Sequence, residues 1–202
     1  MTKTSYKAYI NTLSTISKAI TSELYLEDVL KLIVTLTANV MKAKICALWL
    51  LDEKTKELKI RATQAMSKEY LKERSLKLGE GIVGSVAKEK KPLIIENVLK
   101  EAQYKEKDLA KKEGLVSMLS VPMMIKTRVI GVMNCYTTTP YKFTKSDVDL
   151  MTTIANQAAV AIENTELLVK TKIIQEELEA RKRKEKAKGI LMKEQGLSEE
   201  EA

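Results

Sequence analysis

Hydrophobic positions change period several times along the chain, and each change predicts an element. From Tyr6 to Leu24, apolar residues fall at Ile10, Leu13, Ile16, Ala19, Ile20 and Leu24, a helical spacing with one stripe. Leu26 to Met41 repeats it through Leu26, Val29, Leu30, Ile33, Leu36, Val40 and Met41. Glu27 and Asp28 lie in the first turn, where the helix dipole favours acids. One bent helix or two consecutive helices are expected, the first suited to pairing with another helix. Lys44 to Leu51 is then a short apolar run of strand formers, and Asp52 to Lys56 a polar turn. Glu57 to Met66 alternates, with Leu58, Ile60, Ala62 and Gln64 on one face. The three segments predict a β-hairpin buried on one side.

The middle of the chain is mixed. Ser67 to Arg74 reads as a short helix with Ser67 as N-cap. Gly79 suits a turn with positive φ, followed by a helix from about Gly81 to Lys90 and a strand from Pro92 to Ile95. Val98 to Glu113 is highly charged and is expected to be helical and solvated. Leu115 to Ile125 and Arg128 to Thr138 form the clearest hairpin, turning at Lys126-Thr127. Pro122 predicts an edge position or a bulge, and Gly131 a close backbone approach. From Thr144 to Gln195 the pattern is helical, with no proline and one glycine, Gly189. Thr144 or Ser146 can cap it, and Asp147 and Asp149 lie in its first turn. Fifty residues of helix reach roughly 75 Å, too long for a compact domain to bury. One end should belong to a globular body and the other should project. The element order implies an α+β fold: a mostly antiparallel sheet with helices packed on one face, plus long N- and C-terminal helices.

Composition narrows the chemistry. The net charge of +8 permits a polyanionic partner without requiring one. Histidine is absent, which removes an imidazole general base, a Cys/His zinc site and a Ser-His-Asp triad. Cys46 and Cys135 sit in apolar runs and read as buried free thiols. The N-terminus lacks the apolar core of a signal peptide, and no apolar run approaches the ~20 residues of a membrane span. A soluble, cytoplasmic protein is expected, with no metal or catalytic residue assigned.

The stretches ALWLLDEKTKELKI, LKLGEGIVGSVAKEKKPLII, VSMLSVPMMIKTRVIGVMNCY and FTKSDVDLMTTIANQAAVAIEN, behind a leading helix, together resemble a GAF domain. The resemblance covers roughly Leu26 to Asn164 and implies a sensor or dimerisation module rather than an enzyme. Arg181 to Ala202 resembles the opening of an ANTAR domain, an RNA-binding module of bacterial antiterminators. The matching residues are Arg181, Glu185, Ala187-Lys188-Gly189, Leu191-Met192, Gly196 and Ser198 to Ala202. Lys184 departs from the aliphatic residue usual there, and the sequence stops at Ala202 before the rest of that module.

Within this frame, Gly79 to Gly84 is expected to be a structural turn. It lacks the lysine of a phosphate loop and the βαβ setting of a dinucleotide fingerprint. Phe143 and Asp147 fit part of the cyclic-nucleotide signature that the resemblance implies, but Val148 replaces its acidic residue. Free methionine sulfoxide reduction, also known in the family, uses cysteines on mobile loops, whereas Cys46 and Cys135 look strand-borne. The candidate ligand-binding residues are Trp49, Met118, Ser120 and Asn134, inward-facing by position, with core filling as the competing role. Asn134 stands out because a buried amide needs partners. Arg181, Arg183 and Lys188 are the candidate RNA-binding residues, in a basic run suited to phosphate contacts. The expected organisation is a dimer helix over 1–25, a GAF sensor over 26–164, a connecting coiled coil over 165–180 and the start of an ANTAR module over 181–202. The expected partners are a second copy through the terminal helices, an unidentified small molecule, and RNA for the complete ANTAR module. The function implied is ligand-responsive transcription antitermination, the alternative a ligand-free GAF dimerisation module.

Overall fold

The computed structural model describes residues 3–22, 24–67, 70 and 74–195. Two helices come first, α1 (Lys3–Ile20) and α2 (Leu26–Val40), so the N-terminal pattern resolves as two helices rather than one bent one. Strands β1 (Ile45–Asp52), β2 (Glu57–Thr63) and β3 (Ser75–Lys77) follow, then α3 (Gly81–Glu89), β4 (Leu93–Ile95) and α4 (Lys107–Glu113). The hairpin β5 (Met118–Ile125) and β6 (Arg128–Tyr136) leads into α5 (Lys145–Gln195). The strands form one six-stranded sheet in the order β3-β2-β1-β6-β5-β4, antiparallel at every pairing. Residues 1–162 make one compact unit and residues 163–202 another.

Both faces of the sheet are covered, where helices on one face were expected. β5 and β6 are buried along nearly their whole length, in runs that do not alternate. One face packs Leu48, Met133 and Cys135 against Ile16 of α1, Ile33 of α2 and Ile154 of α5. The other packs Ala47, Trp49, Val132 and Tyr136 against Val86 of α3, Ala110 of α4 and the loop residues Val98 and Tyr104. A strand buried on both faces carries no period-2 signal, so sequence alternation showed only one of the two layers.

Three local features set the frame. The register between β1 and β2 shifts at Leu48/Trp49. Leu58 and Ile60 therefore share a face with Trp49, while Ala62 joins the opposite layer, so the expected single face from Leu58 to Gln64 does not form. Pro122 sits where β4 no longer covers β5, since β4 pairs only with Met118 to Ser120, and a register shift follows at Met123/Met124. Its missing N–H therefore costs no ladder bond. Gly131 pairs with Leu50, and a Cβ there would collide with the Trp49 carbonyl oxygen, so the predicted close approach is present.

The expected helix from Val98 to Glu113 shrinks to α4. Side chains divert the backbone upstream: Asn97 Oδ1 accepts from the Leu99 amide at 2.9 Å, and Glu101 Oε1 from the Gln103 amide at 3.1 Å. Such local bonds compete with helix formation. The segment is not simply solvated either, because Tyr104 within it is buried. At Ser67, Oγ accepts from the Tyr70 amide at 3.1 Å, the geometry of an N-cap. Of the rest of that predicted helix, Tyr70 and Arg74 are described and neither is helical, while 68–69 and 71–73 lie outside the described residues. Thr144 caps α5: its Oγ1 accepts from the Asp147 amide at 3.3 Å, while Asp147 Oδ2 accepts from the Thr144 amide at 2.8 Å. This is a capping box closed by an aspartate.

Candidate functional site

The sheet face turned toward α3 and α4 carries an unusual load of polar groups. Register brings three of the four predicted ligand-binding residues into adjoining ranks. Asn134 lies opposite both Ala47 and Ser120, and Trp49 opposite Val132. Met118, paired with Tyr136, lies one rank further along. All four are fully buried, at 0% exposure. Ser120 Oγ donates to Asn134 Oδ1 at 2.7 Å, while Asn134 Nδ2 has no partner among the described residues. Among the described residues, Trp49 Nε1 is also buried and without a partner, as is the Tyr70 hydroxyl. Buried polar side chains in folded proteins are nearly always paired, so three such groups in one layer call for an explanation.

Around them stand residues that sequence reasoning did not single out. The Arg74 guanidinium lies over the Tyr70 ring, 4.5 Å from its centroid, and 5.9 Å from that of Trp49. Both distances are within the range of cation–π attraction. Arg74 Nη2 donates to the Tyr70 carbonyl at 2.9 Å. Arg74 Nε approaches Glu106 Oε1 to 2.8 Å, but off the N–H direction, so the ion pair forms while the Nε hydrogen bond does not. Tyr104 and Tyr136 meet edge to face with centroids 6.4 Å apart. Burial pushes the Glu106 carboxyl above the usual carboxylate range, with Arg74 opposing it. Burial likewise pushes up the phenols of Tyr70, Tyr104 and Tyr136. The available clue was compositional: in a chain that is 4% aromatic, a tyrosine inside the charged run KEAQYKEKD is out of place on a solvated helix.

A cleft of about 820 Å³ opens beside this layer. It runs along β2 and is lined by Glu27, Asp28 and Lys31 of α2, and by Tyr70, Arg74 and Ser75. Trp49, Met118, Ser120 and Asn134 do not line it. Tyr70 and Arg74 are shared, so they stand between the cleft and the buried Trp49.

The glycine-rich turn is structural in its geometry. Gly79 has φ +87° and its amide donates to the Gly84 carbonyl at 2.8 Å. A Cβ on Gly84 would strike the Lys77 carbonyl, so the turn exists to seat α3 on the end of β3. Cys46 and Cys135 are directly opposite on β1 and β6 and are fully buried. Burial, reinforced by the neighbouring Cys135, pushes the Cys46 thiol well up, the setting of an unreactive cysteine. Among the described residues, no group of three or more His, Cys, Asp or Glu could hold a metal ion, and no helix is long and apolar enough to cross a membrane.

The described part of the second unit is the C-terminal stretch of α5, from residue 163 to 195. Its apolar residues Leu167, Leu168, Val169, Ile173, Ile174 and Leu178 are all about half exposed or more. Arg181 and Arg183 are exposed and Lys188 half-buried. Arg181 Nε pairs with Glu185 Oε1 at 3.2 Å, one helical turn further on.

A family model described as GAF domain matches residues 23–163, and one described as ANTAR domain matches residues 173–202. No curated protein matches. Among solved structures, the GAF domain from an Acinetobacter phosphoenolpyruvate-protein phosphotransferase is 26% identical. It has a TM-score of 0.70 over 84% of this chain and 99% of that one. The corresponding domain from Coxiella burnetii is 22% identical, with a TM-score of 0.73 over 80% of this chain and 96% of that one. A free methionine-R-sulfoxide reductase from Neisseria meningitidis, solved with its substrate, is 16% identical. Its TM-score is 0.69 over 83% of this chain and 95% of that one.

Proposed function

The chain belongs to the GAF domain family and carries an ANTAR match after it, and from that premise we propose a ligand-responsive regulator of transcription antitermination. A small molecule held on the α3/α4 face of the sheet is the signal, and RNA bound by the complete ANTAR module is the output, in the cytoplasm. The observation that carries the sensing half is the set of unpartnered buried groups at Trp49, Tyr70 and Asn134. A second reading, a ligand-free dimerisation module, is favoured by the complete burial of Trp49, Met118, Ser120 and Asn134, which fits a packed core as well. Catalysis by thiols is disfavoured by the burial of Cys46 and Cys135.

The RNA-binding residues in this reading are Arg181, Arg183 and Lys188. Reversing Arg181 and Arg183 to glutamate is expected to weaken binding to a hairpin RNA at low salt. It should also flatten the dependence of log K on log salt by about one unit for each phosphate no longer neutralised. Filter binding across a salt series measures both, and an unchanged slope removes these residues from the interface.

The intermediate partner is a second copy of the chain. Exposed Val160, Leu167, Ile174 and Leu178 fall at intervals of seven, seven and four, and Asn164 and Thr171 complete a heptad seam. Glu177 and Lys182 occupy the flanking positions where opposite charges meet between parallel helices, and a polar residue in the seam, Asn164, favours one register. A Leu167→Cys variant is expected to form a disulfide-linked dimer under mild oxidation, and Val169→Cys, off the seam, is not. Equal crosslinking at both positions, or none at either, contradicts this pairing.

A further inference from the structure

Resting on the sensor reading above, we propose that the molecule recognised by this GAF domain is a small aromatic carboxylate, with its ring against Trp49 and Tyr70 and its carboxylate on Arg74. The sign of the unmet hydrogen bonds decides the class. Trp49 Nε1 can only donate, and Asn134 Nδ2 can only donate while its Oδ1 accepts from Ser120. Both are fully buried. The cluster thus presents unmet donors, and its carboxylate, Glu106, already faces Arg74. A ligand rich in acceptors satisfies this set, whereas an amine brings further donors to a cluster whose Trp49 and Asn134 donors are already unmet.

Arg74 fixes the charge. Its guanidinium is half-committed: the approach of Nε to Glu106 is misaligned, and Nη2 donates to a backbone atom, the Tyr70 carbonyl. A planar carboxylate can accept two parallel bonds from a guanidinium, the strongest arrangement open to either. Glu106 would then give up its place, and the same burial that raises its proton affinity eases its neutralisation. The flat rings of Trp49, Tyr70 and Tyr136 in this layer suit a planar body rather than a branched aliphatic one. Access has a route as well, because Tyr70 and Arg74 line both the buried cluster and the cleft along β2. Turning these two side chains would open the cleft toward Trp49.

Trp49 is the only tryptophan in the chain, so its fluorescence reports on the site directly. Benzoate, benzyl alcohol and benzylamine keep one ring and change only the sign of the head group. Titrated into the full chain, benzoate is expected to alter Trp49 emission saturably and to raise the melting temperature, and benzylamine to do neither. Arg74→Lys keeps the charge but loses the fork, and is expected to weaken benzoate by about tenfold or more. Trp49→Phe, with its fold checked by circular dichroism, should weaken it while leaving the melting response measurable. Benzylamine binding as tightly as benzoate, or benzoate binding untouched by Arg74→Lys, overturns the proposal. Small molecules released from chain purified from its host separate two failures. A co-purified amine overturns the ligand class and leaves the sensor standing, a co-purified carboxylate supports the class, and no molecule at all together with no benzoate response overturns both.

Discussion

Gly131→Ala is expected to destabilise the chain by about 3 kcal/mol or more, the upper end of what overpacking costs. The added methyl points at the Trp49 carbonyl, a backbone atom locked in the β1–β6 ladder, and at Met123 Cε. A flexible side chain could yield, but the strand cannot without breaking the register that runs from Ile45 to Leu50. Gly114 supplies the comparison. It has φ +63° and nothing within 4 Å of where a Cβ would stand, so Gly114→Ala should cost only the backbone strain, about 1 kcal/mol. Urea unfolding of both variants by circular dichroism checks the ordering. Equal losses would mean that the close approach of β1 and β6 is not what requires glycine at Gly131.

The second large effect is expected at Asp147. This buried carboxylate accepts from the Thr144 amide and the Thr144 hydroxyl, each at 2.8 Å, and from the Tyr141 hydroxyl at 3.2 Å. The Tyr9 hydroxyl of α1 reaches its other oxygen at 3.4 Å. Asp147 thus closes the cap of α5 and ties α1 to the start of that helix. Asp147→Ala removes an N-terminal capping interaction and leaves several donors without an acceptor, for a loss of about 3 kcal/mol. Tyr9→Phe, at the longest of these hydrogen bonds, should cost only about 0.5 kcal/mol. If the two variants unfold at the same urea concentration, Asp147 is not the anchor described. The same residue fits part of the cyclic-nucleotide signature, and its four hydrogen bonds within the protein account for it without a nucleotide.

Hydrophobic spacing alone placed α1, α2, the β5–β6 hairpin and α5, because each is long and strongly patterned. Pro122 and Gly131 were legible for the same reason in reverse: each violates a strand pattern in a way only an edge or a close approach tolerates. The second layer was not legible. α4, β3 and β4 are short, and β5 and β6 are buried on both faces, so no alternation records what covers them. The same blindness hid half of the candidate site. Trp49, Met118, Ser120 and Asn134 could be assigned to strand faces by counting, but Tyr70, Arg74, Tyr104 and Glu106 come from irregular segments. Their positions depend on turns made by side chains such as those of Ser67, Asn97 and Glu101. Along α5, sequence spacing offered overlapping apolar stripes. Exposure separates them, since Ile162 is buried while Val160 is 43% exposed, which is why the proposed pairing takes Val160 and not Ile162.

A ligand-responsive dimer requires two copies of this chain with a small molecule held in the GAF domain, and native mass spectrometry of protein purified from its host tests that requirement most directly. The expected result is a species of twice the chain mass carrying additional small-molecule mass, released on activation before the two chains part. A bare single chain at micromolar concentration, with no bound mass, would contradict it.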